Sequence, residues 1–157
     1  MEQNWRHLPP PARPIAVAAV AAVDAAQRHD EPDLTAAVDD LAALDPAQTG
    51  LVLGTLVRLL LEDTHPDGLD GEAVRGVLER GVRAAAQWQP EVDPHVMLLL
   101  LAGALGVTDE GDDEPPPKPG TLARHSALLV ADLLGPRPVG PFVAATFTEL
   151  ERAQLND

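Results

Sequence analysis

Helix-start signals recur along this chain, and the apolar runs behind them are too long for strands and too short to cross a bilayer. Asp45-Pro46 and Asp93-Pro94 each place an N-cap carboxylate before a proline at the first helical position. Behind them lie "LVLGTLVRLLL" (51–61) and "VMLLLLAGALGV" (96–107). Each is about a dozen residues, short of the ~20 that a spanning helix needs. Segments that are apolar on nearly every side belong in a core, so both are expected to be buried.

The rest of the chain reads the same way. Leu34, Ala37, Val38, Leu41 and Leu44 form one stripe, with Asp39 and Asp40 opposite. Asp70 can cap a helix whose apolar face is Val74, Val77, Leu78, Val82, Ala85 and Trp88, with Arg75, Glu79 and Arg83 as an exposed ladder. Thr121 can cap another. Helices are expected over about 12–28, 33–44, 46–62, 71–88, 94–106, 121–134 and 141–154. Nothing alternates with a period of two, so no sheet is expected. The prediction is an all-α fold, about seven helices in a compact irregular bundle, as one domain over residues 1–157. The acidic, proline-rich stretch at 108–120 reads as a mobile loop. Pro46, Pro94 and Pro141 open alternate helices at a spacing that suits HEAT-like helix pairs, although the residues after them align poorly.

Composition narrows the chemistry. The chain has 157 residues and no cysteine, which excludes disulfides and thiolate metal sites. A cytoplasmic protein is expected. "IAVAAVAAV" (15–23) resembles the core of a signal peptide only faintly, since Glu2 and four prolines precede it. Ser126 is the only serine and Lys118 the only lysine. His125 precedes Ser126, but helix neighbours diverge by about 100°, so they form no dyad and read as a surface pair. "GLDG" and "GALG" follow no strand and carry no nucleotide fingerprint. Gly50 and Gly54, one turn apart, read as a place of close helix packing. No two histidines have ligand spacing on a helix. His29-Asp30 matches the His-Asp pair of metal phosphohydrolases over two letters only.

"EDTHPDGLDGE" (62–72) invites a calcium reading, with Asp63, His65 and Asp67 as ligands and Gly68 at the turn. Position 12 of such a loop is Val74, however, and imidazole suits a hard cation poorly. The same letters serve as helix stop, turn and Asp70 cap, and that reading is preferred. No catalytic residue, cofactor or metal is therefore assigned; Asp63, His65 and Asp67 are the outside choice for a metal.

Net charge is −14. Residues 30–72 carry eleven acids against Arg58 alone, and 107–117 carry five acids and no base. Such a chain repels phosphate backbones and anionic lipid, so neither direct nucleic-acid nor membrane binding is expected. The leading expectation is a non-enzymatic module that binds another protein, one with a basic surface; homo-oligomerisation is compatible with it. The alternatives are a small-molecule or metal-binding sensor or enzyme using Asp63, His65 and Asp67, and an acidic mimic of nucleic acid.

Overall fold

The computed structural model describes residues 8–9, 11–107 and 117–155, with side chains to Ala153. Most of the loop expected at 108–120 lies outside the described residues. The described residues form seven helices and no strand: α1 (Ala12–Gln27), α2 (Glu31–Ala42), α3 (Pro46–Thr64), α4 (Gly71–Ala86), α5 (Pro94–Ala104), α6 (Pro119–Leu134) and α7 (Gly140–Leu155).

Carboxylates start the helices as expected. Asp45, Asp70 and Asp93 accept from Gln48 N–H (3.1 Å), Ala73 N–H (2.7 Å) and His95 N–H (2.9 Å). Two starts differ from the sequence reading. α2 begins at Glu31, because Asp30 accepts from Asp33 N–H at 3.1 Å and Pro32 stands in the first turn. α6 begins at Pro119 with no side-chain cap, and proline's fixed φ opens the helix two residues before Thr121.

α6 forms the centre. It packs against α1, α2, α3, α4 and α5. Its run Ser126–Val130 is wholly buried, with Leu129 and Val130 at 0% exposure. Truncating Leu129 to alanine would cost about 2–5 kcal/mol. In a stack of helix pairs each unit touches only its neighbours; here the contacts of one helix reach most of the chain. α3 packs on α1, α5, α6 and α7. α1 and α2 pack closely because α1 presents alanine: Ala16, Ala19 and Ala25 are fully buried. Small side chains let helix axes approach.

α5 departs from expectation. It contacts α3, α4 and α6, yet Leu98 is 44% exposed and Leu99 and Leu100 are only half-buried. Its apolar character is spent partly on the surface. At the other end of α6, Arg137 ties the chain break down. Its Nε and Nη2 donate to the carbonyls of Leu134 (3.0 Å) and Leu133 (3.2 Å) in the last turn of α6. Nη1 meets Asp63 Oδ2 of α3 at 2.8 Å, and the guanidinium lies over Phe142. Gln27 of α1 donates to the backbone oxygens of Gly135 and Arg137 (3.0 and 2.7 Å).

Candidate interaction surface

The histidines and acids that the sequence offers for chemistry are dispersed. Asp63 is held by Arg137 across the fold. His65 Nδ1 lies 2.9 Å from Thr64 Oγ1 and 3.2 Å from Leu61 O, folded back on its own helix end. Asp67 is exposed in the turn, where Gly68 takes φ +98°. Val74 packs against the core. Among the described residues no three His, Cys, Asp or Glu side chains gather as a metal site. Asp30 caps α2 and pairs with Arg28 at 2.9 Å, while His29 turns to Trp88.

His125 and Ser126 are not a surface pair. They are 4% and 1% exposed, on the central helix. His125 Nε2 accepts from Asp93 N–H (3.0 Å), and its other nitrogen faces Thr121 O at 2.8 Å. The backbone N–H must donate and the carbonyl must accept, which fixes the Nδ1–H form. Among the described residues no hydrogen bond joins the ring to Ser126 Oγ. His125 therefore fastens the start of α5 to α6. A second polar cluster fastens α2. Arg124 donates to Glu31 (3.2 Å), Gln89 Oε1 (3.1 Å) and Thr35 (2.9 Å), and buried Gln89 donates to Glu31. The Gln89 hydrogen bond, helped by Thr35 and Arg124, holds the Glu31 carboxyl below its ordinary range despite some desolvation.

The surface itself is built differently. α3 and α5 pack side by side, and between them runs a groove of about 340 Å³. Leu51, Leu53, Leu99 and Leu100 supply apolar walls, with Leu122 of α6 at one side. Gly50, Gly54 and Gly103 face it, and among the described residues a Cβ built on any of them meets nothing within 4 Å. The expected close packing at Gly50 and Gly54 is thus absent: the glycines open a trough rather than admit a neighbouring helix. Leu51 is 56% exposed. It also lines a larger depression of about 640 Å³ bounded by Ile15 and Phe147, so it stands as a ridge between two apolar hollows. Beyond the end of α5, Leu105 and Val107 are 37% and 62% exposed. Exposed apolar area gathered beside a hollow favours association, because contact removes it from water.

Reading from sequence missed this surface. The signal was present only as glycines inside apolar helices, a pattern shared with close packing. Comparison with family models, curated proteins and solved structures finds no match to this chain. No helix among the described residues is long and apolar enough to cross a membrane.

Proposed function

We propose that this protein is a non-enzymatic helical module, an adaptor or regulatory subunit, that binds a helical segment of another protein in the α3/α5 groove. The leucine-walled groove with its three open glycines carries the reading. A helix laid into such a trough buries its i, i+3, i+4 and i+7 side chains. Gly50, Gly54 and Gly103 let its backbone come close. Charge selects the partner. The chain from 107 to 117 joins the end of α5 to the start of α6, both beside the groove, and carries five acids with no base. Lysine or arginine flanking the partner's apolar face would complement it and speed encounter. A cytoplasmic setting belongs to the same reading and agrees with a cysteine-free chain.

The test is selection from a displayed library of helical peptides of about four turns. Expected winners carry an apolar stripe and net positive charge. Their binding should weaken with salt and be lost in Gly54→Leu and Gly103→Leu, which place side chains in the groove from positions where a Cβ meets no described neighbour within 4 Å. Melting no lower than the parent verifies the fold of those variants. Winners that bind the groove-filled variants equally well, or no winners at all, overturn the proposal.

A further inference from the structure

A separate cavity of about 220 Å³ lies where the ends of α1 and α4 meet α6. It shares no lining residue with the α3/α5 groove. Its wall includes His29, Trp88, Asp132, Gln27, Ala84 and Ala131. Three features of this wall bear on what it can bind.

The first is His29. α1 ends with His29 N–H donating to Ala26 O (3.2 Å) and Asp30 N–H to Ala25 O (2.9 Å), the paired bonds of a Schellman end. The residue between must be left-handed, a place usually given to glycine, and His29 takes it at φ 54°. Holding a Cβ there costs on the order of 1–2 kcal/mol. The second feature is the use of that conformation: the imidazole lies flat against the Trp88 indole, centroids 4.8 Å apart and planes within 12°. The third is Asp132. It is half-buried on the central helix, and among the described residues its carboxylate takes part in no hydrogen bond or ion pair. Burial pushes this carboxyl up; Arg80 acts in the opposite sense without pairing with it.

A desolvated carboxylate can only accept, so its complement is a donor, best a charged one. An aromatic stack at the same wall favours a cation or a flat guanidinium. Gln27 adds an acceptor, because its amide nitrogen is already committed to Gly135 and Arg137 while no donor meets its Oε1 among the described residues. The volume is below the ~300–1,000 Å³ of drug-sized pockets, so the ligand is small. We infer that this cavity binds a compact organic cation, an alkylguanidinium or alkylammonium, with its N–H groups on Asp132 and its body against the Trp88–His29 stack. The proposal is independent of the groove: filling Gly54 leaves it untouched.

The experiment is a titration of the full chain with butylguanidinium and butylammonium chloride, following the Trp88 indole N–H resonance, with neutral butyramide as the matched control. Saturable shifts are expected for the cations, and binding about ten-fold weaker or worse for butyramide. Asp132→Asn should weaken cation binding by about ten-fold or more while melting no lower than the parent. His29→Gly, which keeps the helix end, should also weaken it. Should Asp132→Asn fail to fold, Ala84→Leu, which fills the cavity, replaces it and should abolish the shift. No saturation up to about 10 mM cation, equal binding of butyramide, or undiminished binding by these variants overturns the assignment.

Discussion

His29 separates two energies that usually come together. Its left-handed backbone opposes folding, and its stack on Trp88 favours it. An aromatic pair contributes ~0.5–1.5 kcal/mol beyond burial, about what the strained φ costs. His29→Gly removes both, so its unfolding free energy should lie within about 0.5 kcal/mol of the parent. His29→Ala removes the stack and keeps the strain, and should unfold about 1 kcal/mol more easily than His29→Gly. Equal stability of the two variants in urea titrations would show that the helix end is not left-handed in solution. Asp132 supplies a second residue-level prediction. Its folded pKa is raised, so the native state holds the proton more tightly than the unfolded chain. Stability therefore falls as pH rises through the folded pKa, and the loss is complete above it. Asp132→Asn removes the charge and should be the more stable protein at neutral pH. Its advantage should shrink as pH is lowered to about 4. Asp30 and Glu31, whose carboxyls are lowered, lose stability with falling pH instead, but they do so equally in both proteins and cancel in the difference. A pH-independent difference would mean that Asp132 is well solvated.

At the scale of helices, the groove makes an unusual demand on glycine. Gly50 and Gly54 lie inside α3, where glycine disfavours a helix, and among the described residues no neighbour comes within 4 Å of the place their Cβ would take. Alanine at either should raise the unfolding free energy by about 0.5–1 kcal/mol. Gly81 of α4 is the contrast: its Cβ would sit 3.4 Å from Leu129 Cδ1 in the core, so the propensity gain is offset and little net change is expected. Destabilisation by Gly54→Ala would show that the groove is closed in solution. This contrast also marks where the sequence was readable. Asp45, Asp70 and Asp93 announce their helices because capping is local, and the answer lies within three residues. The start of α2 was harder, since Asp30, Asp33 and Pro32 each suit a first turn. Gly54 and Gly81 look alike in sequence, and only the packing around them separates a trough from a tight contact. α6 hid its central place for a related reason. His125 and Ser126 interrupt its apolar pattern, and the Asp93 N–H that occupies His125 comes from another helix's start. The His29–Trp88 stack and the Arg124–Gln89–Glu31 cluster likewise join residues far apart in the chain.

Over the whole molecule, the acid that caps and pairs within the fold is also the acid that the proposed partner would read, and the two effects have opposite signs. Between residues 30 and 72 much of it serves the fold: Asp30, Asp45 and Asp70 cap helices, and Asp33, Glu62 and Asp63 meet Arg28, Arg58 and Arg137. These ion pairs are exposed, and such pairs contribute only ~0–1 kcal/mol each. Eleven bases against 25 acids leave a large surplus of negative charge, and that surplus repels itself in the compact state. Salt screens both effects, but the surplus is the larger. Raising sodium chloride from about 0.01 M to 0.15 M shortens the screening length from about 30 Å to 8 Å. The melting temperature should therefore rise over that range. A fall would mean that the local pairs outweigh the net repulsion. The proposed association with a basic helix in the α3/α5 groove should respond the other way, because screening would remove the attraction that brings such a partner in. One salt series on the protein alone and with a selected peptide thus separates the two roles: the same carboxylates that loosen the free fold at low salt should tighten the complex there. If both quantities move in the same direction, the acid is not what recognises the partner.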